Sequence, residues 1–227
     1  MQRLKLVVLA GMAVLSLSAL ASASTSAVTP ATILPEEEVK LTGKQVGAWV
    51  LTALGGAKIE CKTQTSEGSF AAKAKLGPIT TKLGECKEAS TGATCTGLGE
   101  ASGTILMSGE AHLVVDNEPI LGGGLLFLVN LTHFACSIVL TELKGEVLCL
   151  IKPANTKTTH FEGGCTETAA GSGDPKEVTY WNEVGEEVTI NKETAGLLMA
   201  ISHAAFKGAA EALTAELTAS KEVTIDV

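Results

Sequence analysis

The chain has 227 residues, of which 45% are hydrophobic and only 4% aromatic, and its 17 basic and 25 acidic residues give a net charge of −8. An acidic chain without a basic cluster repels nucleic-acid backbones and anionic lipid surfaces, so both are disfavoured as partners. The scarcity of aromatic residues also disfavours a broad stacking platform for bases or sugars. Nothing in the composition points to a cofactor.

The first 23 residues have the pattern of a signal peptide. The opening "MQRLK" carries two positive charges, and an uncharged apolar run follows over 6–20. The small residues "ASA" at 21–23 then match a signal-peptidase site, and the apolar run is shorter than the roughly 20 residues of a transmembrane helix. We expect cleavage after Ala23 and a mature chain that is secreted or bound to the cell envelope, with no membrane span.

The rest of the chain is predicted to be a flexible linker over 24–35 followed by a single β-domain over 36–227. Two-residue alternation of apolar and polar positions predicts strands. The alternating segments are 38–43, 57–63, 103–115, 136–151, 176–190 and 221–227. Because glycines and polar clusters separate them every 8 to 12 residues, we expect an all-β fold, either an antiparallel β-sandwich or a barrel.

The segment 191–221 is ambiguous at this level. It is rich in alanine, leucine and glutamate, which favour a helix. The stretch "EALTAELTA" within it alternates as a strand does, and Gly196 and Gly208 lie where turns would fall. Helix and strand therefore both stay open for 194–219.

The six cysteines all lie in the predicted mature chain, at positions 61, 86, 95, 136, 149 and 165. An even number of cysteines outside the cytoplasm predicts disulfides. The nearest approach to a zinc motif, His133-x-x-Cys136 with His160-x4-Cys165, lacks the paired close spacing of structural zinc modules. No C-x-x-C redox motif is present, so we expect neither a metal site nor a redox pair.

Sequence alone does not select one of the fifteen possible pairings of six cysteines. Cys86 with Cys95 is the local choice, because the turn-forming "KEASTGAT" between them suits a hairpin closed by a bridge. Among the other four, Cys61 with Cys136 would close a long loop, which gains more stability, and Cys149 with Cys165 is then the remaining pair. Cys61, Cys86, Cys95, Cys136, Cys149 and Cys165 are thus all predicted to be bridged.

Two groups of residues were weighed as catalytic candidates, and neither is assigned a catalytic role. Ser102, His112 and Asp116 contain the residue types of a hydrolase triad, but "GEASG" at 99–103 places its serine fourth rather than third, and the segment also fits a hairpin. The second group is acidic and lies beside Tyr180 and Trp181, as in a sugar site. Its members are Glu183, Glu186 and Glu187. A solvated hairpin turn explains the same pattern, so Tyr180 and Trp181 remain only weak candidates for binding.

Four segments carry a resemblance: "ECKT", "GECKEASTGATCTGLGEASGTI", "HFACSIVLTELKGEVLCLIKPANTKTTHFEG" and "AISHAAFKGAAEALTAELTASKEVTIDV". Their order resembles uncharacterised secreted proteins that occur as large paralogous sets in soil actinobacteria. The resemblance implies an all-β extracellular protein with no assigned catalytic residues. It also favours strands over 195–227, with a short turn near His203 to Gly208.

Three hypotheses about function follow. The first is a secreted, non-catalytic β-domain with a structural, adhesive or interaction role, whose partner is a cell-wall or other extracellular component. The second is a binding module for a glycan or a small apolar ligand, with Tyr180 and Trp181 as its candidate residues. The third is a secreted hydrolase that uses the acids near Glu183 or the set around Ser102.

Overall fold

The computed structural model describes residues 32–34, 37–53, 56–116, 123–167, 177–182, 184, 186–191, 197–202 and 207–226. The predicted signal peptide and most of the predicted linker lie outside these residues. The described residues form strands and turns, and no helix among them is long and apolar enough to cross a bilayer. The strands are β1 (Thr32–Leu34), β2 (Val39–Gln45), β3 (Trp49–Ala53), β4 (Lys58–Cys61), β5 (Thr63–Phe70), β6 (Leu76–Gly84), β7 (Lys87–Glu88), β8 (Cys95–Gly97), β9 (Ile105–Asp116), β10 (Gly123–Cys136), β11 (Val139–Lys152), β12 (Thr158–Glu167), β13 (Glu177–Trp181), β14 (Glu187–Asn191), β15 (Leu197–Ile201) and β16 (Lys207–Asp226).

The strands close into an antiparallel barrel of eight barrel strands, which we label A to H. A joins β2 and β3 end to end, B joins β4 and β5, C joins β6 and β7, D joins β8 and β9, E is β10, F is β11, G joins β12 and β15, and H is β16. Each barrel strand pairs with the next along the chain. H pairs with G on one edge and with A on the other, which closes the ring. Of the two predicted all-β architectures, the barrel is therefore found.

Alternation along the strands places one face of each strand inside the barrel, where two apolar clusters fill the interior. The first contains most of the cysteines and the large side chains of Trp49, Leu51 and Phe134. The second is built around Phe70 and Leu113, which are both almost fully buried. Burying one such side chain contributes about 1.5 to 3 kcal/mol, so these inward positions account for much of the stability.

The ambiguous segment 191–221 forms strand wherever the structure describes it, except at Ser202, a turn residue with a left-handed φ of 52°. β15 and β16 cover most of it, and Leu213, Ala215 and Ala219 of β16 all point into the barrel. The strand alternation therefore prevailed over the helix propensity of alanine, because it matches the inward face of a long barrel strand. The turn expected near His203 lies mostly outside the described residues.

The turn that follows Cys86 is a hairpin, as its sequence predicts. The Cys95 N–H donates to the Cys86 carbonyl across it, and Gly92 adopts a left-handed φ of 71°. Hydrogen bonds from Thr91 and Ser90 to the Glu88 carboxylate lower the pKa of Glu88 to about 2. This carboxylate therefore stabilises the hairpin above pH 4.5, and the contribution is lost as the pH falls towards 2.

The predicted bridges Cys86–Cys95 and Cys61–Cys136 are wrong. Cys61 is bonded to Cys86 and Cys95 to Cys136, whereas the third predicted bridge, Cys149–Cys165, is confirmed. Cys95 and Cys136 are direct partners in the register of β8 with β10, and Cys149 and Cys165 are direct partners in β11 with β12. Each bridge thus joins neighbouring barrel strands.

The reason for the error is that the hairpin brings Cys86 and Cys95 close, but each side chain faces a cysteine of a different neighbouring strand. The register of β4 with β7, in which Glu60 opposes Lys87, places Cys61 opposite Cys86. Such long-range register is not visible in the spacing of the cysteines. Pairing the two cysteines that are closest in sequence therefore gave the wrong disulfide.

Strand G is interrupted by an insertion between β12 and β15, which carries the hairpin of β13 and β14. Thr179 of β13 pairs with Val115 of β9, so this hairpin extends the barrel wall beside strand D. The predicted hairpin over 176–190 is therefore present, and it lies against the outside of the barrel.

Removing a disulfide should lower the free energy of unfolding by more when that disulfide closes a longer loop. The separations of 41 residues for Cys95–Cys136 and 16 for Cys149–Cys165 correspond to about 4 and 3 kcal/mol of chain entropy. We expect the double variant Cys95→Ala with Cys136→Ala to lose more free energy of unfolding in urea than Cys149→Ala with Cys165→Ala. A non-reducing peptide map of the unmodified protein should contain the three observed bridges, and a Cys86–Cys95 peptide there would contradict this connectivity.

Candidate functional site

The β13–β14 hairpin covers a patch on the outer wall of strands D, E and F. Four successive residues, Ala111 to Val114, are all buried, which a strand with one face in solvent would not show. The side chains of Ala111 and Leu113 belong to the interior, whereas His112 and Val114 face outward. Tyr180 of the hairpin packs against this outer patch, which we call the hairpin seam. Its members are His112, Val114, Leu126, Leu148, Tyr180 and Trp181.

His112 is the polar centre of the hairpin seam and is only 2% exposed. Its Nδ1 lies 3.3 Å from the Trp181 carbonyl oxygen, and because a carbonyl only accepts, Nδ1 carries the hydrogen. The His112 ring meets the edge of Tyr180 with centroids 4.7 Å apart. These contacts give the hairpin a specific position on the wall.

Trp181 is predicted as a candidate binding residue, but its ring presents little surface to a ligand. It is 6% exposed, and Lys75 Nζ lies 5.7 Å from its ring centroid. A cation at this distance from an indole face is stabilising. Trp181 therefore anchors the hairpin rather than forming an open stacking platform for a sugar.

Two carboxylates, those of Glu110 and Glu146, lie beside the seam. Glu110 Oε2 lies 3.4 Å from His112 Nε2, without hydrogen-bond geometry. Burial raises the pKa of Glu146, whose Oε2 has no hydrogen-bond partner among the described residues. Burial, and then the charge of Glu146, raise the pKa of Tyr180. Among the described residues, the seam thus places one carboxylate beside His112 and one beside Tyr180, while the ring of His112 itself is buried under the hairpin.

The structure does not bring Ser102, His112 and Asp116 together. Ser102 precedes the start of β9, and His112 lies seven residues into that single strand, about 23 Å beyond its first residue. Asp116 is about 13 Å further along the same strand. The segment is one strand rather than a hairpin, and its geometry does not form a triad.

Of the acids beside Tyr180 and Trp181, Glu186 lies in the hairpin turn and Glu187 begins β14. Asn182 Oδ1 accepts from the Glu186 N–H at 2.9 Å, and Asn182 Nδ2 donates to the Glu186 carboxylate. Glu187 is exposed and is the register partner of Trp181. Glu183 lies outside the described residues. Glu186 and Glu187 are thus solvated residues of the hairpin, one in its turn and one at the start of β14.

The histidines and cysteines of the approximate zinc motif, His133-x-x-Cys136 with His160-x4-Cys165, do not form a metal centre. Cys136 and Cys165 are both in disulfides, and His133 Nε2 lies 3.2 Å from Glu142 Oε1. His160 is exposed. Within the part of the chain that the structure describes, no three or more His, Cys, Asp or Glu side chains cluster as a metal site would require.

Two features of the structure were not predicted from the sequence. One is an open, mainly apolar groove of about 530 Å³ between the 98–100 turn and strands E and F, where Leu98, Ala135 and Leu140 meet. The other is a small internal cavity beside Gln64 and Ser66. The sequence signal for the groove is an isolated leucine between glycines. The signal for the cavity is the presence of polar residues at the inward positions of β5.

No protein-family model, no curated protein and no solved structure matches this chain. The resemblance of its cysteine-containing segments to secreted actinobacterial proteins therefore stays a prediction.

Neutralising Glu146 should stabilise the protein in a pH-dependent manner. Because the pKa of Glu146 is raised on folding, the folded state binds more protons than the unfolded state above pH 4.5, and stability falls as the pH rises through the raised pKa. We expect Glu146→Gln to raise the melting temperature at pH 7 by about 1 to 3 °C, with the gain vanishing below pH 4.5. The exposed Glu67→Gln is the matched control, and an equal gain in both variants at pH 7 would contradict the assignment.

Proposed function

We propose that this protein is a secreted, non-catalytic barrel domain with a structural or adhesive role at the cell envelope or outside the cell. The observation that carries the proposal is the combination of a wall clamped by three disulfides with two almost fully exposed large apolar side chains, Leu98 and Ile138, in turns beside strand E. Clamped walls suit a protein that must keep its shape where thiols are oxidised. Exposed apolar side chains suit contact with another molecule.

The export step is supported by the chemistry of the cysteines. All six are bridged, and disulfides of this kind persist in oxidising compartments. The positively charged start and apolar run of the first 23 residues support the same location. Together they favour an extracellular or envelope-associated site of action.

The contact surface is inferred from side chains around the turn between strands E and F. Ile138 is 95% exposed and Leu98 is 85% exposed, values that are unusual for large apolar residues. Val139 at the start of strand F is also exposed, and the groove beside Leu98 is lined by its chain neighbour Leu140. We name this the Leu98–Ile138 surface, and we propose that an extracellular component of the envelope binds there.

The non-catalytic part of the proposal is supported by the positions of the candidate groups. Ser102 precedes β9, His112 and Asp116 lie apart along it, and the described acids of the hairpin are solvated. The hydrolase hypothesis is tested by a substrate screen on the purified protein. Reproducible hydrolysis that one substitution abolishes, such as Glu186→Gln or Ser102→Ala, would overturn the non-catalytic assignment.

Binding to isolated cell envelope of the native host tests the adhesive role. We expect Leu98→Ser combined with Ile138→Ser to reduce the bound fraction several-fold, because the variant removes the two most exposed apolar side chains of the surface. Val184→Ser is the matched control, since Val184 is 77% exposed but lies in the hairpin turn. Unchanged binding in the double variant, or an equal loss in the control, would contradict a role for this surface.

A further inference from the structure

The interior of the barrel contains a cavity at the junction of its two apolar clusters. Its volume is about 60 Å³. A water-sized group needs roughly 10 to 15 Å³ of cavity volume, so the cavity has room for about four to six groups of that size. Its lining residues are Gln64, Ser66, Ile79, Thr81, Met107, Leu125, Phe127, Val147, Cys149, Gly163, Cys165, Leu213, Ala215 and Leu217.

One wall of the cavity is polar and comes from strands B and C. Gln64 Nε2 donates to Ser66 Oγ, and Ser66 Oγ lies 2.8 Å from Thr81 Oγ1, its cross-strand partner. All three side chains are more than nine-tenths buried. Gln64 Oε1 is also buried, yet it has no hydrogen-bond partner in the described structure.

An unpaired buried carbonyl oxygen is costly, about 1 to 3 kcal/mol, and therefore calls for a donor. The opposite wall cannot supply one, because it consists of Leu125, Phe127, Val147 and Leu213 and of the Cys149–Cys165 bridge. Water alone is a poor occupant of the whole space, since each buried water requires two to four polar partners and these lie on one wall only.

We propose that the cavity is a binding site for one small, neutral, amphipathic molecule with a hydroxyl-type donor and a short apolar body. The donor pairs with Gln64 Oε1, and the body of three to five carbons contacts the apolar wall. A charged head group is excluded by chemistry, because the cavity offers only neutral oxygens and burying an unpaired ion is prohibitive. This site is internal and is independent of the proposed role of the Leu98–Ile138 surface.

The methyl groups of methionine provide a direct probe of the cavity. Met107 lines it, whereas Met199 does not, and both are 3% exposed. The probe ligand is 1-propanol, added to the oxidised full chain labelled with ¹³C at its methionine methyls, with signals assigned by Met107→Leu and Met199→Leu. We expect a saturable shift of the Met107 signal while the Met199 signal stays in place.

Two adjacent glycines provide a matched pair of variants. A Cβ on Gly163 would enter the cavity lining 3.5 Å from Leu217 Cδ1, so Gly163→Ala fills space without a clash, whereas a Cβ on Gly164 meets nothing within 4 Å. We expect Gly163→Ala to abolish saturable binding and Gly164→Ala to retain it. Gln64→Leu, which removes the acceptor, should weaken binding by about two- to tenfold, as expected for one lost hydrogen bond.

Methoxyethane, an isomer of 1-propanol without a donor, should bind more weakly than the alcohol to the unmodified chain by about the same factor. The proposal is overturned if the Met107 and Met199 signals drift together in proportion to alcohol concentration. It is equally overturned if Gly163→Ala binds as the unmodified chain does, or if the cavity exchanges magnetisation with water and takes up no alcohol.

Discussion

Closure of the barrel by strand H is the constraint on which the rest of the structure depends. The 20-residue β16 hydrogen-bonds to β12 and β15 along one edge and to β2 and β3 along the other. Along the described residues, closure leaves no long unpaired edge among the eight barrel strands, so their backbone groups pair within the wall. Eight strands also set the diameter, at which side chains can just fill the interior or leave room for one small ligand. Inward side-chain volume therefore decides what the interior holds.

The disulfides complement this closure in a regular way. They join B to C, D to E and F to G, while the turns after Ala53, Glu88 and Cys136 join A to B, C to D and E to F. Two of the bridges, those of Cys61 and Cys95, lie at the barrel end where their strand pairs have no connecting turn. Barrel strands A to F are thus covalently continuous at that end. The seam between H and A has no disulfide and is held by strand hydrogen bonds, packing and the ion pair of Lys221 with Glu37, whose Nζ and Oε2 lie 2.7 Å apart.

Sequence reasoning succeeded where the physical signal is local. Alternation predicts β2, β4, β9 and β11 and the β13–β14 hairpin, because each has one face in the interior or against the wall. It left the segment around Leu213 and Ala215 undecided, since small residues at inward positions of a barrel strand have the composition of a helix. It failed on the pairing of Cys86, because that pairing depends on which strand lies beside strand C on the side away from strand D. That order arises from closure, and closure is a property of the whole chain.

Only part of the candidate site could be predicted from the sequence, for the same physical reason. Tyr180 and Trp181 were recognised as unusual, but their burial against His112 depends on an insertion folding back onto strand D. The cavity has a comparable origin, because Gly163 and Ala215 place little volume on strands G and H opposite Gln64. A larger residue at either position would fill the space, and an apolar residue at 64 would remove the unpaired oxygen. The cavity therefore requires two small inward residues and one polar residue on strands that only closure brings face to face.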